Sequence, residues 1–181
     1  PEPEQRLFAA LSVFAGGADL RAVHRVTDPG ASEDDVLDRL VRLVDRSLAV
    51  AVSGVHSRYR LLETLRAYGR HRVEAAGADR VLAHRHATYY VELAERAAHG
   101  LQGPDERAWV DDALADYDNM RAAFVSACAG RDADLAVRLV ASIPELVHLR
   151  IGYEASGWAE RALVEADPEH PRYVAAVGAA A

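Results

Sequence analysis

The sequence predicts a mainly α-helical fold organised as two modules. Apolar residues recur three and four positions apart over most of the 181 residues, which is the spacing of an amphipathic helix. One stretch, residues 48–61, alternates instead with the period of two that is typical of β-strands. Charge is divided unevenly, because residues 1–75 carry 11 Arg and 11 acidic residues whereas residues 76–181 carry 10 and 17. Gly77 lies at this change and suits the end of a helix.

The composition is that of an ordinary folded protein. Half of the residues are apolar and 27% are charged, which excludes disordered and fibrous classes. No apolar run reaches the roughly 18–20 residues of a membrane span, and no basic-then-apolar leader opens the chain, so we expect a cytoplasmic protein without a membrane partner. The single Cys128 can close no internal disulfide. A start at Pro1 and an Ala-rich end without a stop signal predict a piece of a longer protein.

The first module, residues 1–76, begins with three predicted helices. Leu7, Leu11 and Phe14 recur at helical spacing, and Gly16-Gly17 is expected to end this first helix. Asp19 is placed to cap a second helix over residues 20–26. Ser32, followed three positions later by an acidic residue, resembles a capping box and predicts the start of a third helix. The apolar side of that helix is formed by Val36, Leu37, Leu40, Leu43 and Val44.

The alternating stretch predicts a β-hairpin. Leu48, Val50 and Val52 alternate with small residues, Ser53-Gly54 supplies a turn, and residues 58–61 alternate again. A fourth helix is predicted over residues 62–76. One of its sides carries Leu65, Tyr68, Gly69 and Val73. Three helices followed by a two-stranded hairpin make a winged helix.

The second module reads as helices throughout, with linker helices over residues 77–130 and a repeat-like array over residues 131–181. The predicted helices span residues 80–98, 106–114, 118–129 and 135–149, and Pro144 is expected to kink or shorten the last of these. After Gly152, three small residues (Ala155, Ala159 and Ala162) precede Asp167-Pro168. This pattern resembles the second helix of a tetratricopeptide repeat. Such repeats bury their apolar faces against neighbouring repeats and display a concave surface for binding.

Several blocks of sequence, taken in order, resemble a known regulatory family. They are residues 11–17, 40–48 and 59–66, then 86–90, Trp109 and 116–124. Together they resemble the winged-helix region of bacterial STAND-type ATPase regulators of the AfsR and LuxR kinds. The resemblance implies a parent protein in which an ATPase domain precedes the winged helix and a tetratricopeptide array follows it, with an adenylate cyclase domain in some related chains. It also implies ATP or ADP in the upstream domain, and a protein or small-molecule inducer on the repeats.

Nucleotide chemistry is not expected within this segment. A P-loop needs a lysine, and all 21 basic residues of the chain are Arg. In related apoptotic and plant proteins the winged helix carries a Met-His-Asp signature whose His contacts ADP. Matched here, these positions fall on Leu61, Leu62 and Glu63, and a leucine cannot donate a hydrogen bond to a phosphate. We therefore expect no cofactor in this segment and expect Glu63 to cap the fourth helix.

A winged helix raises a DNA-binding hypothesis, since such domains often contact DNA through the third helix and the wing. The third helix has a net charge of −2, and Asp38 and Asp45 border its arginines, whereas phosphate binding requires concentrated positive charge. The wing and the fourth helix are better candidates, because Glu63 is the only acid among their basic residues. The candidate partner or DNA contacts are Arg58, Arg60, Arg66, Arg70 and Arg72. A solvated face, or a face that docks on an acidic neighbouring domain, is the preferred interpretation of these arginines.

No catalytic or metal site is predicted. His84 and His86 lie two positions apart, so on a helix they point about 200° apart and cannot close on one ion. The acidic pairs Asp111-Asp112 and Asp116/Asp118 lack the strands and glycine loops of a catalytic cleft and are expected on solvated helix surface. Trp109 and Trp158 are expected to pack between helices.

Three functions from different classes remain. The leading interpretation is a non-catalytic regulatory and protein-interaction segment of a multidomain ATPase or transcriptional regulator, which relays nucleotide or ligand state between domains. The alternative is a winged-helix DNA-binding module that uses the arginines of the wing and the fourth helix. An independent enzyme is the third, and no nucleophile or acid-base pair supports it.

Overall fold

The computed structural model describes residues 2–54, 56–101, 103–104, 106–142 and 154–180. Its helices are α1 Glu2–Ala10, a 3₁₀ turn Leu11–Val13, α2 Leu20–Thr27, α3 Glu33–Asp45, α4 Glu63–Ala75, α5 Asp79–Gly100, α6 Glu106–Ala115, α7 Tyr117–Gly130, α8 Ala133–Ser142, α9 Glu154–Glu165 and α10 Tyr173–Ala180. The strands are β1 Ala18–Asp19, β2 Val50–Val52 and β3 Arg58–Arg60. Two compact units are present, Pro1–Tyr89 and Tyr90–Ala181. Among the described helices, none is both long and apolar enough to cross a membrane.

Side-chain caps begin two helices of the first unit. The Asp19 carboxylate accepts a hydrogen bond from the backbone N–H of Ala22 at 2.7 Å, so α2 begins at the predicted cap. The Ser32 hydroxyl accepts from the backbone N–H of Asp35 at 3.1 Å and donates to the Asp35 carboxylate at 2.7 Å. Both predicted N-termini are confirmed. Apolar side chains from α1, α2 and α3 form the core beneath these helices: Leu7, Phe8, Val23, Val26, Val36, Leu40 and Leu43.

The predicted hairpin is confirmed and belongs to a three-stranded antiparallel sheet. Val50 pairs with Arg60 and Val52 pairs with Arg58 across β2 and β3. On its other edge, β3 pairs with β1, which places Ala18 opposite Tyr59. Strand β1 has only two residues, and the alternation in the sequence did not predict it. Gly17 precedes β1 with φ of +83°, and a Cβ there would lie 3.0 Å from the Tyr59 carbonyl oxygen, so this approach requires glycine.

Two local predictions in the first unit are wrong. Helix α1 ends at Ala10 and continues as a 3₁₀ turn before Phe14 becomes extended, so Gly16-Gly17 does not end the helix. Phe14 is still buried, because the tighter turn keeps its side chain in the core. Glu63 does not cap α4. Leu62 occupies the cap position without a side-chain bond, and the Glu63 carboxylate, one residue later, accepts hydrogen bonds from two arginines of the same helix.

The second unit is a helical array, as predicted. Helices α7 and α8 are joined by a tight turn in which Arg131 has φ of +55°. The Asp132 carboxylate then accepts from the backbone N–H of Leu135 at 3.1 Å and begins α8. Trp158 of α9 is buried and stacks on Tyr117 and Phe124, with ring centroids 5.7 and 5.1 Å apart. Its predicted packing role is confirmed.

Some predictions for the second unit fall outside the described residues. Helix α8 is described to Ser142, so the predicted continuation to residue 149, Pro144 and Gly152 lie beyond it, as does the side chain of Ala155. Ala159 and Ala162 are buried in α9, as close helix packing requires. The assignment of these helices to a tetratricopeptide repeat stays a prediction, and so does the division at residues 76 and 130.

Candidate protein or nucleic-acid interface

The two wing arginines lie on β3 and differ in their partners. Arg58 donates from Nη2 to the Gly17 carbonyl oxygen at 2.9 Å, a contact that ties the wing to the segment before β1. Arg60 is exposed two residues later, on the same face of the strand. Within the described chain, the side chain of Arg60 forms no hydrogen bond or ion pair. It is therefore the member of the candidate set whose charge is fully available to a partner.

The three arginines of α4 form two separate groups. Arg66 and Arg70 share a helix face and both reach the Glu63 carboxylate at 3.3 Å, and Arg66 also donates to the Ser12 carbonyl oxygen at 3.3 Å. Arg72 instead donates to the Tyr68 hydroxyl at 3.3 Å, and its guanidinium lies 6.0 Å from the centre of the tyrosine ring. The structure thus brings Arg66 and Arg70 together around a carboxylate. It does not gather the five predicted residues into one unneutralised patch, and their role as partner contacts stays a prediction.

A buried carboxylate occupies two arginines of α3. Glu4 Oε1 accepts from Arg42 Nε, and Glu4 Oε2 accepts from Arg46 Nη1, both at 2.6 Å, while only 6% of the Glu4 side chain is exposed. Burial raises the pKa of the Glu4 carboxyl, but the Arg42 hydrogen bond and the Arg46 charge outweigh burial, so the pKa lies below its ordinary value. Arg39, the third arginine of α3, contacts the Asp28 carboxylate at 2.7 Å.

Sequence reasoning missed the Glu4 cluster. Glu4 lies 38 and 42 positions before its partners, and its helix carries a second glutamate in the same turn, so no local pattern singles it out. The sequence nevertheless predicted correctly that α3 lacks concentrated positive charge, because its own aspartates already border its arginines.

The outward face of α3 is acidic. Asp34, Asp38, Val41 and Asp45 are spaced four, three and four apart, which places them on one helix face, and all four are exposed. Val41 exposes 46% of its surface between the carboxylates. In the described chain none of the three aspartates has a cationic partner. A face of this kind repels a phosphate backbone and suits contact with a protein surface.

Three other titratable residues, His86, Asp116 and Cys128, are wholly or partly buried. His86 is buried and packs against the Phe14 ring with centroids 5.5 Å apart. Asp116 was expected on solvated surface, and this is wrong, because only 7% of it is exposed and Asn119 Nδ2 donates to its carboxylate at 3.2 Å.

Burial raises the pKa of the half-buried Cys128 thiol. Among the residues that the structure describes, no three His, Cys, Asp or Glu side chains are grouped so that they could hold a metal ion.

Comparison with known proteins agrees with the fold. Residues 2–74 match the family model of the winged helix-turn-helix domain. The first unit therefore has a winged-helix fold, and residues 2–74 are similar to this family. This domain comprises α1 to α4 with the three-stranded sheet, and the helical array follows it along the chain.

Three mycobacterial proteins are similar to most of the chain. Each bears the name "Putative HTH-type transcriptional regulator"; one is from Mycobacterium bovis and two are from Mycobacterium tuberculosis, strains CDC 1551 and H37Rv. Each is 40% identical over 162 residues, which cover 83% of this chain. The chain spans 18% of the length of these relatives. No solved structure matches it.

Proposed function

We propose that this chain is a non-catalytic docking segment of a multidomain transcriptional regulator. The winged helix binds another protein domain through the outward face of α3, and the helical array passes the state of one domain to the other. The observation that carries the proposal is the charge of α3, whose outward face presents Asp34, Asp38 and Asp45 while its arginines are held by Glu4 and Asp28. The length of the relatives, and their names, support a role within a larger regulator.

The partners follow from the family that the sequence resembles. An ATPase domain of the STAND type precedes the winged helix and holds ATP or ADP, and its nucleotide state changes how the winged helix docks. The array is the beginning of a tetratricopeptide sensor that binds a protein or small-molecule inducer. The parent protein acts in the cytoplasm, where such regulators meet DNA. No nucleotide contact is assigned to residues 61–63, because leucines occupy the first two positions.

A direct DNA titration tests the docking function. Fluorescence anisotropy with a labelled 30-base-pair duplex at 50 and 200 mM salt is expected to show no binding tighter than the micromolar range at the higher salt. Nanomolar binding that weakens steeply with salt would overturn the proposal. In a second titration, the domain encoded upstream in the same gene is expected to bind the chain and to lose affinity on Asp38→Arg. The matched control is Asp111→Arg, which reverses an exposed aspartate in the other unit.

DNA binding through the wing is the second candidate function. The exposed, unpartnered Arg60 and the names of the relatives favour it. Arg60→Ala is then expected to weaken DNA binding at all sequences and to reduce the slope of log affinity against log salt by about 1. Arg58→Ala and Arg66→Ala are poorer tests, because each also removes a hydrogen bond to a backbone carbonyl. Arg25→Ala, at an exposed position in α2, is the matched control.

A further inference from the structure

An apolar groove opens on the first unit beside α1, the end of α3 and α4. Its volume is about 310 Å³, which is room for one or two large side chains. Phe8, Leu43, Leu48 and Leu65 supply its apolar surface. Phe8 and Leu43 are buried, whereas Leu48 and Leu65 are half-buried and present apolar surface to solvent.

The mouth of this groove carries an exposed aromatic side chain. Tyr68 exposes 52% of its surface, although it packs against the Phe8 ring with centroids 6.2 Å apart. Arg72 lies over the tyrosine and bonds its hydroxyl, so both side chains are held in place before any partner arrives. Tyrosine and arginine are enriched among the residues that carry most of the energy of protein interfaces. Side chains that are already ordered also lose less conformational entropy on binding.

The charge around the groove is positive. Among the described residues that line it, Glu4 is the only carboxylate, and Arg42 and Arg46 both contact its oxygens. Arg46 still exposes 54% of its side chain, and Arg72 is exposed on the opposite helix. An apolar floor between two exposed guanidinium groups complements an apolar side chain flanked by carboxylates.

We propose that this groove binds an acidic polypeptide segment, which inserts one or two large apolar side chains between Arg46 and Arg72. This proposal rests on the proposed docking function. It adds to that function a second contact surface, the groove, and the chemistry of the partner that the groove binds. A nucleic acid would contact Arg46 and Arg72 with its phosphates but would leave the apolar floor without a partner, so an acidic polypeptide with apolar side chains fits the groove better. The acidic face of α3 suits a basic partner surface, whereas the groove suits an acidic one. The two surfaces therefore bind partners of opposite charge.

Peptide selection tests the groove directly, because a random library offers acidic, basic and apolar sequences alike. Random twelve-residue peptides displayed on phage are selected on the immobilised 181-residue chain, and the enriched peptides are then synthesised with a fluorescent label. We expect enrichment of Leu, Phe or Trp next to Asp or Glu. Binding is expected to weaken about tenfold or more on Tyr68→Ala and on Arg72→Glu. Arg25→Glu, a charge reversal on α2, is expected to leave it unchanged, and circular dichroism of each variant checks its fold.

Several outcomes of the peptide selection would contradict the groove proposal. Failure to enrich any peptide, enrichment of basic peptides, or affinity that survives both groove variants overturns the groove. Sedimentation that shows a dimer broken by Tyr68→Ala makes a second copy of this chain the occupant, and overturns it too. DNA anisotropy on the same preparation separates the two proposals. Tight DNA binding refutes the docking function, whereas absence of both DNA and peptide binding refutes the groove alone.

Discussion

Gly69 gives the sharpest test of the packing in the first unit. It lies within α4, where a Cβ would be 2.9 Å from the Ser12 Cβ and 3.3 Å from the Ala9 carbonyl oxygen. At an exposed position inside a helix, alanine makes the folded state more stable than glycine does by about 1 kcal/mol. Overpacking a tight contact costs about 1–3 kcal/mol. The contact is closer than side chains tolerate and one neighbour is backbone, so Gly69→Ala is expected to lower the free energy of unfolding by up to about 2 kcal/mol net.

The control substitution is the same change where space is open. Gly157 also lies within a helix, α9, and a Cβ there would meet nothing within 4 Å. Gly157→Ala is therefore expected to raise the free energy of unfolding, by up to about 1 kcal/mol. Two identical changes in helices should thus have effects of opposite sign. The difference comes entirely from the neighbours of the added methyl group.

Urea denaturation reads both effects. Far-UV circular dichroism follows the helices of both units, while tryptophan fluorescence follows the second, because Trp109 and Trp158 both lie there. Gly69→Ala is expected to lower the urea midpoint of the first unit by up to about 1 M. A double-mutant cycle with Ser12→Gly should recover part of the loss, since it removes the nearest atom. Stabilisation by Gly69→Ala, or a cycle without coupling, would refute the close approach of α4 to the 3₁₀ turn.

Three further predictions concern titratable groups. Glu4→Gln removes the carboxylate that holds two α3 arginines, so nonspecific DNA affinity should rise and the salt slope should steepen by about 1–2; unchanged anisotropy would show that these arginines do not limit DNA binding. Arg138 donates two hydrogen bonds to Glu95 and holds the pKa of that carboxyl below its ordinary value of 4.5. Because the pKa of Glu95 is lower in the folded chain, its ionised form stabilises the folded state above about pH 4.5, and this stabilisation is lost as the pH falls through the pKa of the folded chain. Glu95→Gln should therefore lower the free energy of unfolding by about 1–2 kcal/mol at pH 7. It should also make that free energy fall less steeply at acid pH, as measured by tryptophan fluorescence. Burial raises the pKa of the Cys128 thiol, so at pH 8 it should react with a disulfide reagent more slowly than free cysteine and speed up in urea; equal rates in folded and unfolded chain would contradict this.

The elements that the sequence predicted correctly depend on short-range interactions. Asp19 and Ser32 each bond a backbone N–H three residues ahead, so residue type and position suffice to place the start of a helix. The hairpin is similarly local, because β2 and β3 are adjacent in sequence and their alternation fixes which residues face the core.

The elements that the sequence missed depend on long-range contacts. Strand β1 exists because Ala18 meets Tyr59, which lies about forty positions later, and a two-residue strand leaves no periodic signal. The groove joins side chains from three helices, and only the fold shows that Phe8 and Tyr68 touch. The wrong expectation for Glu63 has a different cause. A glutamate in the first turn of a helix is favourable through the helix dipole without any capping bond, so its position near the start of α4 did not show that it caps the helix.

The pairing of Glu4 connects these local facts to function. A carboxylate with 6% of its side chain exposed needs its cations, because removing one partner of such a pair leaves a poorly solvated charge. Arg42 and Arg46 therefore cannot leave Glu4 for DNA phosphates without destabilising the contact between α1 and α3, although each keeps about half of its side chain exposed. A winged helix that reads DNA through its third helix must present cations outward, whereas this one uses them to join its own helices and presents aspartates instead. The same ion pairs hold Arg46 at the edge of the groove, so Glu4 is expected to weaken DNA contact through α3 while it keeps Arg46 where the proposed acidic segment requires a cation.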